Sequence, residues 1–391
     1  MRNKRFFAVL AIATALSALP AHAVLSAASI PAAFDKFLKL PALANPAFVL
    51  IDGISGEVVF EKNSFSQRKP ASVMKIFAAA SALTYLEPEK SFTTQIWLGS
   101  QPKTLVIQGT LDPWISLSHS VARKMDRASL PYLAFNALSA IKRSNGGSLK
   151  NITVEYAGLY SQDVANLKAF WAKRGFKPAI KSVTSSKALR DSNEFIVGDE
   201  SPELSKILDF SLKWSDNLLS QRLARLSSQA AGYSLSDIGV QLTFEQLLNS
   251  FEIDSTKLIA IDASGLSKEN RITASMLGKL LFKLRNDPKY ELFYKSLPVA
   301  GVSGTLRYRF LTTAPSAVGL VRAKTGTLNG TVTLAGYVES TDREYIFVTL
   351  ADEIPRGTRA SDKARAAIDR LLGRIAAPNI PAVISEATAT P

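Results

Sequence analysis

The sequence predicts an α/β fold built around one sheet, to which both ends of the chain contribute strands. Near the start, an apolar run at 47–52 is followed by a polar turn at 53–56 and an extended run at 57–60, which is the pattern of a β-hairpin. Two more strand patterns, at 331–338 and 345–350, lie near the end and are joined by a polar turn. Because helix-forming segments fill much of the chain between them, we expect helices on both faces of that sheet.

Three helix signals lie between and after these strands. Residues 74–83 are rich in helix-forming residues and follow shortly after Pro70. Ser201 followed by Pro202 has the form of an N-cap and a first helical residue, and therefore predicts a helix start. The last helix is predicted to begin near Ser361. Its apolar stripe consists of Ala364, Ala367, Ile368, Leu371 and Ile375.

The stretch 97–195 differs from the chain around it in its pattern of strand and helix signals. It alternates short strand patterns with helix patterns and contains the glycine turn Asn145-Gly146-Gly147. This pattern predicts a small α/β accessory domain inserted into a loop of a larger domain, which consists of residues 24–96 and 196–377.

The two ends of the chain are predicted to lie outside the fold. Residues 1–23 combine basic residues, an apolar run at 6–19 and the small-residue pattern Ala21-His22-Ala23, which together indicate a secretory signal peptide. The apolar run is too short to span a bilayer comfortably. We therefore expect export to the periplasm or the cell-wall side of the membrane, with cleavage near Ala23. Residues 378–391, rich in Ala, Thr and Pro, are expected to be disordered.

Composition limits the partners and the chemistry. The formal net charge is +14, of which +11 remains once the three basic residues of the signal peptide are removed. Export argues against nucleic acid as a partner, whereas an anionic envelope surface and a merely solvated surface both remain open. The chain has no cysteine, and beyond the signal peptide His119 is its one histidine. We therefore expect no metal site, and since glycine-rich nucleotide loops are also absent, no cofactor.

The residues left for catalysis include a serine–lysine pair. Ser72-Val73-Met74-Lys75 has the form S-x-x-K at the start of a predicted helix, where a spacing of three places the amine one turn from the hydroxyl. A serine hydroxyl needs a base, and a lysine can serve when burial and another cation lower its pKa. The same pattern occurs at 66–69, 100–103 and 139–142, but only Ser72 precedes a long apolar helix.

Two further motifs follow in order along the chain. Ser215-Asp216-Asn217 lies between two predicted helices, and Lys324-Thr325-Gly326-Thr327 precedes the late strand pair. Taken alone, the first is typical of a helix N-cap and the second of a solvated strand end. On an edge strand, however, Lys-Thr-Gly offers a cation, a hydroxyl and open backbone against which a peptide can pair. The ordered occurrence of S-x-x-K, S-D-N and K-T-G makes chance a poor explanation.

The three motifs resemble the signature of penicillin-binding proteins and serine β-lactamases. The sequence around them, including Asp262-Ala263-Ser264-Gly265-Leu266-Ser267 and 297–306, is similar to that of D-alanyl-D-alanine carboxypeptidase/endopeptidases, the low-molecular-mass class C penicillin-binding proteins. One departure is Ala263, where the family has glycine. The resemblance implies a serine DD-peptidase/β-lactamase-like transpeptidase fold, which has an antiparallel sheet flanked by helices, an all-α lobe, and a small α/β domain inserted between the first and second catalytic motifs.

The resemblance also implies four catalytic residues. Ser72 would attack the carbonyl of the penultimate D-alanine, and Lys75 would take its proton. Lys324 would help to lower the pKa of Lys75. Ser215 would pass a proton to the leaving amine in concert with Lys324.

Four further residues are implied to bind the substrate. Thr325 and Thr327, with the neighbouring lysine, would hold its terminal carboxylate, and Gly326 would leave the strand backbone accessible. Asn217 would bind the substrate amide. The oxyanion would lie between the backbone N–H groups of Thr327 and the nucleophile Ser72.

The implied activity is that of a serine-type D-Ala-D-Ala carboxypeptidase, with or without endopeptidase action on cross-links. Its substrates would be peptidoglycan stem peptides, and β-lactam antibiotics would be covalent inhibitors. Two alternatives stay open. Glu245-Gln246-Leu247-Leu248-Asn249 imitates the E-x-x-L-N of class A β-lactamases, although Glu245 also fits the exposed face of an amphipathic helix. A non-catalytic peptidoglycan-binding homologue could also keep the fold.

Overall fold

The computed structural model describes residues 30–340 and 343–376. The predicted signal peptide, the predicted disordered tail and two residues of the last hairpin turn lie outside the described residues. The described chain contains two five-stranded sheets with helices packed on both, which confirms the α/β prediction.

The first sheet joins strands from both ends of the chain, as the sequence predicts. The ten strands of the two sheets are β1 (Ala47–Asp52), β2 (Val58–Lys62), β3 (Phe92–Gly99), β4 (Thr104–Gly109), β5 (Thr153–Ala157), β6 (Ala179–Ser182), β7 (Ser192–Ser201), β8 (Val321–Leu328), β9 (Thr331–Glu339) and β10 (Glu344–Ala351). The first sheet has the order β2-β1-β10-β9-β8, and all of its neighbours are antiparallel. The strand that carries Lys324 is therefore an edge strand.

Helices cover both faces of the first sheet. The helices are α1 (Ile30–Leu38), α2 (Lys75–Tyr85), α3 (His119–Met125), α4 (Leu130–Ser144), α5 (Ser161–Ala172), α6 (Ser185–Asp191), α7 (Leu204–Trp214), α8 (Asn217–Ala230), α9 (Asp237–Ser250), α10 (Ala274–Arg285), α11 (Glu291–Ser296) and α12 (Thr358–Ala376). Phe48 and Leu50 of β1 belong to the core beneath α1 and α12. Val49 and Ile51 belong to the core shared with α10 and the all-α lobe formed by α2, α7, α8, α9 and α11. Alternate residues thus face opposite layers, and the whole strand is buried.

The second sheet has the order β6-β5-β4-β3-β7. Its strands β4, β5 and β6 are parallel, whereas β3 pairs antiparallel with both β4 and β7. Helices α4 and α5 pack on one face, and α6 packs over β4 and β5 on the other. The sheet extends beyond the predicted stretch 97–195 at both ends, because β3 begins at Phe92 and β7 ends at Ser201. The interpretation of this stretch as an accessory domain stays a prediction.

One predicted helix start is wrong. Ser201 is the last residue of β7, and α7 begins at Leu204 with Glu203 in the N-cap position. The Ser201 hydroxyl instead donates to Asp112 Oδ2 at 2.7 Å and accepts from the backbone N–H of Ala128 at 3.0 Å. Because its hydroxyl is occupied by these buried contacts, Ser201 does not cap the helix.

Candidate active site

Ser72 and Lys75 lie where the chain enters the all-α lobe. Ser72 is in a short 3₁₀ turn, Ala71–Met74, and Lys75 is the first residue of α2. Lys75 Nζ lies 2.9 Å from Ser72 Oγ, which confirms the contact that the spacing of three predicts. The turn begins at Ala71 with φ +48°, a left-handed conformation that is unfavourable for residues other than glycine. The strained residue directly precedes the nucleophile candidate.

Two glycines confine the backbone at Ser72. A Cβ on Gly326 would lie 2.9 Å from the backbone nitrogen of Ser72 and 2.1 Å from Thr333 Oγ1. Gly265 has φ +82°, and a Cβ there would lie 1.9 Å from the carbonyl oxygen of Ala71. The strand β8 and the 262–267 loop therefore approach the nucleophile too closely for any side chain.

The Lys75 amine contacts three oxygen atoms. Besides Ser72 Oγ, it lies 2.7 Å from Asn217 Oδ1 and 2.5 Å from the carbonyl oxygen of Ser264. The side-chain oxygen of Asn217 and the backbone carbonyl oxygen of Ser264 can only accept, so they bind both N–H groups of a neutral amine. The remaining lone pair then faces the Ser72 hydroxyl. This arrangement suits an amine that removes the hydroxyl proton.

Burial favours the neutral form of both lysines. Lys75 is 1% exposed and Lys324 is 0% exposed. Burial lowers the pKa of Lys75 to about 8, while the carboxylates of Asp262 and Asp216 act to raise it. Burial, and then repulsion from the Lys75 cation, holds the pKa of Lys324 well below its usual range. Burial is the largest cause for both amines. Because repulsion between two neighbouring cations is mutual, the expectation that Lys324 helps to lower the pKa of Lys75 stays a prediction.

Ser215 and Lys324 come together although they are far apart in sequence. Ser215 ends α7 in a left-handed conformation with φ +60°, and Asp216 caps α8 by accepting from the backbone N–H of Leu219 at 2.9 Å. This turn directs the Ser215 hydroxyl toward β8. Lys324 Nζ donates to Ser215 Oγ at 2.9 Å and to the carbonyl oxygen of Thr325 at 3.0 Å. The capping interpretation of Ser-Asp-Asn therefore holds for Asp216, while the catalytic role of Ser215 stays a prediction.

The outer edge of β8 is prepared for an extended peptide. The segment 298–300 bonds to the first half of this edge, through the carbonyl oxygen of Val321 and the N–H of Ala323, each at 2.9 Å. Alternate residues of a strand direct their backbone groups to the same side. Thr325 and Thr327 therefore also direct their N–H and C=O groups outward, where no strand pairs with them in the described part of the chain.

All eight predicted site residues gather around this edge. They are Ser72, Lys75, Ser215, Asn217, Lys324, Thr325, Gly326 and Thr327. Asn217 differs from expectation in one respect, because its side-chain oxygen accepts from Lys75. Its amide N–H groups are the part that remains for a substrate.

Sequence reasoning missed the supporting role of one loop. Asp262 Oδ1 accepts from the backbone N–H groups of Ser264 and Gly265 at 2.8 and 2.6 Å, and Oδ2 accepts from that of Ser267 at 2.6 Å. Burial acts to raise the pKa of Asp262, but the hydrogen bonds from this loop lower it overall. The carboxylate thus fixes the Ser264 carbonyl against Lys75. An Asp followed by Ser, Gly and Ser is the available signal, since it is typical of side-chain-stabilised turns.

Two other polar residues at the site gave no clear signal in the sequence. Thr305 Oγ1 lies 2.9 Å from Thr325 Oγ1, and Arg365 Nη2 donates to Thr327 Oγ1 at 3.2 Å. Within residues 30–340 and 343–376, no group of three or more His, Asp or Glu side chains could hold a metal ion. His119 lies in the second-sheet region, where it contacts Ser129 and Tyr132.

Comparison with known proteins yields one family. The model of the D-Ala-D-Ala carboxypeptidase 3 (S13) family matches residues 30–146 and 147–375. A relative in Mycolicibacterium smegmatis, carboxypeptidase DacB, is 29% identical over 379 residues, which cover 84% of this chain and 81% of the relative.

Solved structures support the fold. Penicillin binding protein 4 (dacB) from Haemophilus influenzae superimposes with a TM-score of 0.67 at 18% identity, covering 87% of this chain and 98% of that one. The same protein has been solved in complex with a novel β-lactam. The predatory peptidoglycan endopeptidase Bd3459 from Bdellovibrio bacteriovorus superimposes with a TM-score of 0.56 at 15% identity, covering 85% and 93% of the two chains.

Proposed function

The chain belongs to the D-Ala-D-Ala carboxypeptidase 3 (S13) family, and from that premise we propose that it releases the terminal D-alanine of peptidoglycan stem peptides through an acyl-enzyme on Ser72. One observation carries the proposal. The Ser72 hydroxyl, the buried Lys75 amine and the Ser215–Lys324 pair converge from separate segments at an open strand edge. A serine, a neutral amine as base and a proton relay are the groups that peptide acyl transfer requires.

In the proposed acylation step, Ser72 Oγ attacks the carbonyl carbon of the penultimate D-alanine while Lys75 takes the hydroxyl proton. A carbon–oxygen bond forms, and negative charge develops on the substrate oxygen. The backbone N–H groups of Ser72 and Thr327 would stabilise that charge. The outward direction of the Thr327 N–H supports this role.

The carbon–nitrogen bond then breaks and D-alanine leaves. The proton first taken by Lys75 ends on the leaving amine, with Ser215 and Lys324 as the relay. The 2.9 Å contact between these two side chains supports this path. A water molecule next attacks the ester carbon, the ester bond to Ser72 breaks, and the serine recovers its proton through Lys75.

Substrate binding is proposed to use the edge of β8 and the amide of Asn217. A stem peptide would extend β8 as an additional strand, with Thr325 and Thr327 providing backbone and hydroxyl groups. Gly326 supports this arrangement, because its missing side chain lets β8 lie against Ser72. β-Lactams would acylate the same serine, as the complex of the Haemophilus influenzae relative with such a compound suggests.

Purified pentapeptide monomers and cross-linked dimers, incubated with the enzyme and analysed by mass, test this function. We expect loss of one D-alanine from the monomers, and no reaction with Ser72→Ala. Conversion of dimers to monomers would add endopeptidase action, the activity named for the Bdellovibrio relative.

The peptide assay, together with a penicillin turnover assay, separates the alternatives. Unchanged peptides together with retained binding would favour a non-catalytic peptidoglycan-binding protein. Turnover of penicillin within seconds would favour a serine β-lactamase. Glu245 gives the β-lactamase little support. Its carboxylate accepts from Gln241 one turn earlier on α9, which is an ordinary contact within a helix.

We propose that the protein acts outside the cytoplasm, against an anionic envelope surface. No helix in the described ranges is long and apolar enough to cross a membrane. Seven exposed cations cluster at the end of the second sheet where β4, β5 and β6 begin, and we term this surface the basic end. They are Lys103, Lys142, Arg143, Lys150, Lys173, Arg174 and Lys177. None of the seven forms an ion pair with a described residue, which leaves their charge for an external anion.

A further inference from the structure

The helix behind the catalytic strand brings a cation to the substrate edge. Helix α12 packs against β8 and β9, and Arg365 in its first half reaches the end of β8. Its Nη2 donates to Thr327 Oγ1 at 3.2 Å, and its Nη1 pairs with Asp362 Oδ1 at 2.7 Å. No step of the mechanism above uses this guanidinium.

The guanidinium is only partly engaged by these contacts. A guanidinium carries five N–H donors, and two contacts leave most of them open. The Arg365 side chain is 31% exposed, and Thr327 beside it is exposed. A recess of about 470 Å³ opens next to both, with Thr358 and Ser361 of α12 on its far side. An anion entering this recess would meet the guanidinium directly.

Two hydroxyl groups lie along β8 beside the guanidinium. Thr325 and Thr327 are two residues apart on β8, so their side chains share one face of the strand. Lys324 and Gly326 take the other face, where they meet Ser215 and Ser72. The two threonine hydroxyls therefore form a polar row that starts beside the Ser215–Lys324 pair and ends at Arg365.

The charge along this row comes from the arginine. Lys324 is fully buried, its amine is occupied by Ser215 and Thr325, and its pKa lies well below the usual range because of burial and repulsion from Lys75. A guanidinium keeps its charge at any physiological pH and matches the two oxygens of a carboxylate.

We propose that Arg365 is a specificity-determining residue that binds, with the hydroxyls of Thr325 and Thr327, the free carboxylate of the residue released from the substrate. The inference rests on the proposed function, because the carboxylate belongs to the leaving D-amino acid. The site would select bonds whose released amine stands next to a free carboxylate. A terminal D-alanine meets this requirement.

Two acyl-D-alanyl thioesters that differ in one group test the proposal. One has thioglycolate as leaving group and carries a carboxylate, while the other has methyl thioglycolate and carries none. Because the chain contains no cysteine, the released thiol can be followed directly with a thiol reagent. We expect the wild type to prefer the carboxylate substrate in kcat/KM. Arg365→Gln should reduce that preference by about 10- to 100-fold, the effect of losing a hydrogen bond to a charged group.

Matched variants separate recognition from folding. Arg365→Lys keeps the charge and should retain part of the preference, whereas Arg370→Gln removes an exposed cation from the same helix and should leave the preference intact. Equal losses with both thioesters in Arg365→Gln, or no loss with either, would overturn the role of Arg365. A wild type that cleaves both thioesters equally would do the same. If the wild type releases thiol from neither, the proposed function fails and this inference with it.

Discussion

Lysine side chains have opposite environments in the regions of the two sheets. In the first region, β1, β9 and β10 are buried along almost their whole length, and the two lysines beside them are buried as well. In the second region, β3 alternates between buried and half-buried residues, β6 is mostly exposed, and the lysines of the basic end face water. Burial lowers the pKa of a lysine and favours its neutral form, which can act as a base, whereas water preserves the charge for binding. The packing of each layer therefore decides what its lysines do.

The largest expected effect comes from closing the space at Ser72. In Gly326→Ala, the new Cβ would clash with the Thr333 hydroxyl and with the backbone of Ser72. We expect acylation by fluorescent penicillin to slow by at least about 100-fold, since small displacements of reacting groups cost that much. Gly198→Ala in β7 is the control, because its nearest neighbour is the end of the Phe195 ring at 3.3 Å. Rapid labelling of Gly326→Ala would show that the first sheet tolerates the same change as the second.

The pH dependence of acylation tests whether burial makes Lys75 a base. The reactive form is neutral, so the rate should rise with pH and level off above the pKa of about 8. Between pH 6.5 and the plateau, we expect an increase of about 30-fold in the second-order rate constant for penicillin. A rate that stays constant over this range would mean that Lys75 does not act as the base.

A smaller effect is expected from loosening the loop that supports Lys75. Asp262→Asn removes one of the two acceptor oxygens that hold the backbone of Ser264, Gly265 and Ser267. We expect acylation to fall by about 10-fold, the cost of one or two hydrogen bonds. Thermal unfolding of the variant, measured alongside, distinguishes a local change from a loss of folding. A rate equal to that of the wild type would show that Ser264 needs no such support.

A substitution at the junction between the two regions should change the stability of the protein and leave catalysis unchanged. Asp112 is buried there and accepts hydrogen bonds from the Ser201 hydroxyl and from the backbone N–H of Trp114. Burial raises the pKa of Asp112 to about 6, although these hydrogen bonds act to lower it. A carboxyl whose pKa is raised by folding stabilises the protein at low pH and loses that contribution as the pH rises through about 6. Asp112→Asn should therefore gain stability relative to the wild type above pH 6, by about 2–3 kcal/mol.

Thermal unfolding of both proteins from pH 4.5 to 8 measures this difference. The exposed Asp126→Asn is the control and should follow the wild type at every pH. A difference that does not depend on pH would assign Asp112 another role. Penicillin acylation should be the same in all three proteins, because the site lies in the first region.

Substitutions at the basic end are expected to have no effect on catalysis. Replacing Lys142, Arg143 and Lys150 by Glu reverses charge without touching a buried group. Penicillin acylation should match the wild type, while co-sedimentation with phosphatidylglycerol vesicles at low salt should fall several-fold. Equal sedimentation of both proteins would indicate a merely solvated surface.

Local signals predicted much of the site, because its key contacts follow from spacing. The contact of Ser72 with Lys75 depends on one helical turn. For Lys324 the sequence left a solvated strand end and an edge strand open, and the order of the sheet places it on an edge strand. Distant contacts were not predictable in this way. Ser201 has the form of an N-cap, yet Asp112, 89 residues away in sequence, takes its hydroxyl. In the sequence, Arg365 resembles an ordinary surface residue of a helix, because no local pattern predicts which strand lies beneath it.

The position of β1 between β2 and β10 has a consequence for synthesis of the chain. Strand β1 pairs along its length with residues Tyr345 to Leu350, about three hundred positions later. While the ribosome is still producing the earlier segments, the sheet that supports Ser72 and Lys324 lacks its middle strand. A nascent chain halted before Glu344 should therefore be unable to react with penicillin, and the protein should become active only when translation is nearly finished.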